Sequence, residues 1–134
     1  MSLSSPLPTG AKVIVCFAKL HGVHVTDANL DYMGSITIDK ALLEASGLLK
    51  GQIVQITNFE NGMLWRTYII EGERGKGEIT LNGPPAHFFK RGDRIVVLGE
   101  MWVLYDQAKQ MSPTVVFVDD ENKITEVKPG LRPE

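Results

Sequence analysis

A single cysteine, Cys16, stands in this chain. No internal disulfide can form, and such usage suits a reducing compartment. Basic residues show no surplus: Lys and Arg total 14 against 16 Asp and Glu, for a net charge of −2. A protein that neutralises a phosphate backbone needs that surplus, so nucleic acid is not expected as a main partner. No apolar run approaches the length of a bilayer span, so no membrane partner is expected. The opening MSLSSPLPTG lacks the basic-then-apolar order of a secretion signal, and the expectation is a cytoplasmic protein. Histidines are three in all, His21, His24 and His87. His21 and His24 are three apart, so on a strand they face opposite sides, and no metal site is expected.

What is present is an ordinary globular composition, with 134 residues, 43% hydrophobic and 22% charged. That length fits one domain with one core. The Ser- and Pro-containing residues 1–11 read as a flexible arm, 12–127 as the domain, and 128–134 (KPGLRPE) as a flexible tail.

Residues 12–17 (KVIVCF) are β-rich and predict a strand, which 22–26 (GVHVT) extend or resume. SITI at 35–38 predicts a short strand. Asp39 stands at a helix N-cap position before KALLEAS, and Gly47 where that helix should stop, with Leu42, Leu43 and Leu48 turned inward. QIVQIT at 52–57 alternates as a half-buried strand. Asn61-Gly62 signals a hairpin turn into a partner strand at 63–71. Gly75 and Gly77 mark a turn before a strand at 78–81, and Asn82-Gly83-Pro84-Pro85 predicts a loop. Strands follow at 94–98, 114–118 and 123–127, with a short helix within 103–111 and a polar turn at 119–122. Many short strands, one or two short helices and no βαβ rhythm predict a mainly β protein, a small barrel.

One segment carries chemistry: Asn29-Leu-Asp-Tyr32-Met-Gly34-Ser35-Ile-Thr-Ile-Asp39. A Gly-Ser pair alone is most simply a turn. Its neighbourhood changes the reading. Lys19-Leu20-His21, Val25-Thr26, Asn29-Leu30, Tyr32, Gly34-Ser35 and Ile38-Asp39 come first. Asn61-Gly62, Thr67-Tyr68, Glu73-Arg74-Gly75, Asn82-Gly83, Ala86-His87 and Gly92-Asp93 follow. In that order and nearly that spacing, the chain resembles the pyruvoyl-dependent aspartate 1-decarboxylases over roughly residues 13 to 118.

The resemblance implies a double-psi β-barrel, a homotetramer with active sites between subunits, and self-cleavage between Gly34 and Ser35. The Ser35 hydroxyl would attack the Gly34 carbonyl, which glycine leaves uncrowded. Elimination and hydrolysis would then leave a pyruvoyl group made from Ser35 as the cofactor, with no metal and no external cofactor. Its ketone would form a Schiff base with the substrate amine and accept electrons as carbon dioxide leaves. By the same resemblance Thr67 would serve self-cleavage and Tyr68 would be the proton donor. Asn82 would hold the pyruvoyl end, and Lys19, His21, Asn82, Gly83 and Ala86 would bind substrate. The implied reaction is aspartate to β-alanine, which within the family feeds pantothenate synthesis. A maturation helper protein is an open partner.

Each residue also has a plainer reading. Thr67 and Tyr68 are good strand formers that face opposite ways, Lys19 is a solvated surface lysine, and Cys16, Trp65 and Trp102 are packing or interface residues.

Three departures bear on substrate. Leu64 stands where the family usually has an arginine for the substrate carboxylate, and leucine makes no such pair. Arg66 lies on the same strand face, about 7 Å away, and either serves that pocket or is an exposed strand charge. Pro84 and Pro85 replace alanines and bring no N–H. Gly22 replaces a further arginine. Three functional readings follow: aspartate decarboxylation, the same chemistry on a less acidic or larger amino acid, and an uncleaved barrel with a binding role.

Overall fold

The computed structural model describes residues 6–134. The first five residues of the expected N-terminal arm lie outside the described residues. Of the rest, Ala11 N–H donates to the Pro8 carbonyl in a turn, and Tyr105 N–H donates to the Ala11 carbonyl.

Among the described residues, nine strands form one mixed sheet around a single core. They are β1 (Lys12–His24), β2 (Asp27–Asn29), β3 (Ser35–Asp39), β4 (Ile53–Asn58), β5 (Leu64–Gly72), β6 (Ile79–Asn82), β7 (Arg94–Leu104), β8 (Thr114–Val118) and β9 (Ile124–Lys128). Two short helices, α1 (Lys40–Ser46) and α2 (Tyr105–Ala108), complete the set with a 3₁₀ turn at Pro84–Phe88. The strand order is β2-β6-β3-β5-β4-β7-β1-β8-β9. The chain is therefore mainly β with two short helices, as expected for a small double-psi barrel. Three of its pairs, β1/β8, β2/β6 and β3/β5, are parallel and join segments far apart in sequence.

Local chemistry explains several boundaries. The Asp39 carboxylate caps α1 by accepting from Ala41 N–H, and it also accepts from Gly75 N–H and Gly77 N–H. One side chain thus starts the helix and holds the turn before β6. Gly47 closes the helix in the left-handed region at φ 86°, as a C-terminal glycine does. At Asn61-Gly62 only the glycine takes a positive φ, 73°.

The strand readings at 12–17 and 22–26 join as one strand, β1, the second extending the first, with register shifts at Cys16/Ala18 and His21/Val23 against β7. Gly22 sits in the second shift at φ 75°, the backbone that a bulge needs and glycine supplies. Three expectations need correcting. The strand at 94–98 runs on to Leu104, which leaves α2 only four residues. Asn82 belongs to β6 and 84–88 is a 3₁₀ turn, so the stretch read as a loop is regular at both ends. Pro84 and Pro85 occupy the first positions of that turn, where an N–H has no partner within the turn. Finally, the C-terminal tail is hydrogen-bonded. Gly130 N–H donates to Thr114 Oγ1 and Leu131 N–H to Ser112 Oγ, while Arg132 reaches the Phe17 and Ser112 carbonyls.

The core lies inside the sheet, with Leu20, Ile36, Ile38, Leu42, Ile56, Ile69, Leu81, Phe89 and Ile95 fully enclosed. Alternation then decides what faces out. On β5, Thr67 and Ile69 are buried, so Leu64, Arg66 and Tyr68 point to the outer face. On β1, Ala18 and Leu20 are buried, so Lys19 and His21 point outward.

Candidate active site

Ser35 opens β3 and is fully buried. It is paired with Asn82 across the antiparallel β3/β6 ladder. Its Oγ donates to the Met33 carbonyl at 3.1 Å and accepts from Asn82 Nδ2 at 3.0 Å. The same amide donates to Thr37 Oγ1 at 3.2 Å. The buried hydroxyl is therefore fixed by two partners from different segments, and its lone pairs face an amide donor.

Gly34 is half-buried and has two close neighbours. A Cβ at position 34 would stand 3.7 Å from Trp65 Cζ2. The Gly83 backbone, with φ 96° and ψ −177°, abuts it as well. Only glycine occupies that region of backbone space. A Cβ at position 83 would fall 2.8 Å from Gly34 Cα and 2.9 Å from Gly34 N. Glycine at 83 thus lets two backbones touch beside the Gly34–Ser35 bond. Gly83 N–H donates to the Asn29 carbonyl at 2.7 Å, which ties that contact to the end of β2.

Thr67 is buried on β5, which runs parallel to β3 with Ile69 opposite Ile36. Carrying that register back by two residues sets Thr67 level with Gly34. Ala86 is buried in the 3₁₀ turn, its N–H donating to the Gly83 carbonyl. Hydrogen bonds and backbone contact thus bring together Gly34, Ser35, Asn82, Gly83 and Ala86, and extending the β3/β5 register sets Thr67 level with them.

The remaining candidates sit elsewhere. Tyr68 faces outward opposite Ile53 of β4. Lys19 and His21 lie on β1, which β5, β4 and β7 separate from β3 in the sheet order. His21 packs edge-on to Phe59 and against Phe117, with ring centroids 5.7 and 5.5 Å apart. Arg66 Nη1 is bound to Glu100 Oε1 at 2.6 Å. The pair lines a shallow outer cleft with Gln52, Ile53 and Trp102. Sequence reasoning had no sign of Glu100, because nothing local relates residues on β5 and β7. It also missed Trp65 as a neighbour of Gly34, since an aromatic on a strand reads first as packing.

Cys16, half-buried on the outer side of β1, has its thiol pKa pushed up, chiefly by burial, with the Ala18 carbonyl contact and Lys19 pulling the other way. A raised pKa makes it a poor nucleophile at neutral pH. Among the described residues no group of three or more His, Cys, Asp and Glu is placed to hold a metal. Nor is any described helix long and apolar enough to cross a membrane.

Residues 12–125 match the family model described as aspartate decarboxylase. An aspartate 1-decarboxylase from Caldicellulosiruptor saccharolyticus is 44% identical over 110 residues, covering 82% of this chain and 86% of the relative. One from Wolinella succinogenes is 46% identical over 119 residues, covering 87% and 97%. One from Bacillus velezensis is 46% identical over 109 residues, covering 81% and 86%. Among solved structures, the rationally designed mkDPBB_sym_86 protein aligns with a TM-score of 0.46 at 17% identity, over 59% of this chain and 92% of that one. With the family model spanning nearly the whole domain and relatives above 40% identity over four-fifths of its length, this chain belongs to the aspartate decarboxylase family.

Proposed function

We propose that the protein cleaves its own chain between Gly34 and Ser35 and then decarboxylates aspartate to β-alanine. The observation that carries this reading is the buried Ser35 hydroxyl, held between Asn82 Nδ2 and the Met33 carbonyl directly after Gly34, with Gly83 pressed against that glycine. The Ser35 hydroxyl adds to the Gly34 carbonyl carbon, the C–N bond breaks, and the hydroxyl proton passes to the freed amine. This step is an isomerisation of amide to ester. Loss of the Ser35 α-proton expels the Gly34 carboxylate and leaves dehydroalanine. Water then replaces ammonia to give the ketone. Asn82 Nδ2 holds the Ser35 oxygen in position as it gives up its proton, and the Thr67 hydroxyl would meet the charge that develops on the Gly34 carbonyl oxygen.

The residues present fit a pyruvoyl group at position 35. Ser35 is buried and its side-chain oxygen already meets an amide donor, and Asn82 and Thr67 would hold the group after cleavage. When formed, it supplies an electron sink for the carbon that loses carbon dioxide. Tyr68, Lys19 and Arg66 share the outer face of the sheet and would come to the site from a neighbouring subunit. That face also exposes Ile14, Ile53, Leu64 and Trp102, apolar surface suited to burial between copies. This supports a homotetramer with sites between subunits.

A second reading is favoured by Leu64 and by Arg66 being held by Glu100. Neither offers a free guanidinium, so a less acidic amino acid would suit this pocket. Mass spectrometry of purified protein, with cyanoborohydride trapping of candidate amines, tests both. Two fragments split before residue 35, with aspartate trapped, are expected. A single intact chain with no reactive carbonyl would overturn the enzyme reading. Preferential trapping of another amino acid would replace aspartate as substrate.

A further inference from the structure

Two neighbours of the scissile bond come from different parts of the chain. Trp65 and Thr67 belong to β5, and Gly83 follows β6. The end of β4 and its connection to β5 tie these parts together. Asn61 Nδ2 donates to the Phe88 carbonyl at 2.8 Å, and Asn58 Nδ2 donates to the same carbonyl at 3.0 Å. Asn58 Nδ2 also donates to Asp93 Oδ2 at 2.9 Å, and that carboxylate accepts from Lys90 N–H at 3.0 Å. Asn58 and Asp93 are buried. Phe88 is the last residue of the 3₁₀ turn that begins at Pro84, directly after Gly83.

We propose that Asn58 and Asn61, with Asp93, are positioning residues for self-cleavage, holding Gly83 against Gly34 by bridging the end of β4 and its connection to β5 to the far end of the 3₁₀ turn. The inference rests on the self-processing reading above. The turn is short and carries two prolines, so fixing its far end at Phe88 restricts where Gly83 can stand. Intramolecular attack needs the reacting atoms held at about 3–3.5 Å, and a displacement of about 1 Å costs on the order of 10²-fold in rate. Neither asparagine touches the reacting atoms, so each acts through Gly83.

Asn61 permits a clean test because its two polar atoms do different work. Its Oδ1 accepts from Met63 N–H and shapes the hairpin, while its Nδ2 serves the bridge. Asn61→Asp keeps the hairpin acceptor and replaces the bridging donor with an oxygen facing a carbonyl. Asn61→Ser keeps a short acceptor that cannot reach Phe88. Freshly synthesised full-length chains would be followed by mass spectrometry for the appearance of fragments, alongside thermal unfolding. The expected result is cleavage slowed about tenfold in both variants with little change in the unfolding midpoint. Asp93→Asn, which weakens the other half of the bridge, should slow cleavage as well. Wild-type cleavage rates in both Asn61 variants would overturn the positioning role while leaving self-processing intact. A wild-type chain that never cleaves would overturn the self-processing reading and this inference with it.

Discussion

Asn82 and Ser35 face each other across the β3/β6 ladder, and the amide of one donates to the hydroxyl of the other at 3.0 Å although they are 47 residues apart. Replacing Asn82 with alanine removes the donor on the attacking oxygen. Losing the bond that positions this oxygen slows attack about 10- to 100-fold, the order that a displacement of about 1 Å costs. Cleavage of Asn82→Ala, timed by mass spectrometry, should slow by that factor. A wild-type rate would show that the amide has no part in the attack.

Gly83→Ala tests the backbone contact with Gly34. The added Cβ would meet Gly34 Cα at 2.8 Å, and the backbone at φ 96° admits only glycine without strain. A stability loss of about 1–3 kcal/mol from strain is expected. The measurable outcome is a lower unfolding midpoint together with loss of cleavage.

Leu64→Arg tests the substrate side. Leu64 is exposed on the outer face, so the longer side chain has room. A charged hydrogen bond to a substrate carboxylate contributes roughly 1.5–3 kcal/mol, so KM for aspartate should fall about tenfold or more with kcat little changed. An unchanged KM would separate position 64 from the substrate.

Asp39→Ala should be among the costlier single changes. One buried carboxylate serves three backbone N–H groups, at Ala41, Gly75 and Gly77. Its removal costs about 3 kcal/mol or more, because the cap is lost and buried donors go unpaired. Denaturant unfolding of the purified variant measures this.

Cys16 should react slowly. Burial raises its thiol pKa, so the reactive thiolate is scarce at mildly alkaline pH and increases only as pH rises further. An aromatic disulfide reagent should label it more slowly than a small free thiol under the same conditions. Labelling at an equal rate would contradict the shielded position on β1.

Much of the fold was legible where the determinant is local. Asp39 before an apolar helical stretch, Gly47 after it and Asn61-Gly62 between alternating strands act through backbone groups a few residues away. Their consequences are visible in the sequence itself. Readings failed where a tertiary partner extended an element. β7 runs past the apolar stretch 94–98 because β1 pairs with it as far as Leu104. The C-terminal residues, polar and Pro-containing, lie along Ser112 and Thr114 through bonds that composition does not announce.

The order of residues alone determined that Ser35 follows a glycine, that a helix begins at Asp39, and that the chain has the motifs of its family. Only the tertiary structure decided that Gly83 abuts Gly34, that Glu100 takes Arg66, and that Lys19, His21 and Tyr68 face away from Ser35. The physical reason is range. Capping and turn preferences act over a few bonds, whereas strand register and side-chain face are set by hydrogen bonds between distant segments, and a shift of one residue there would invert every facing.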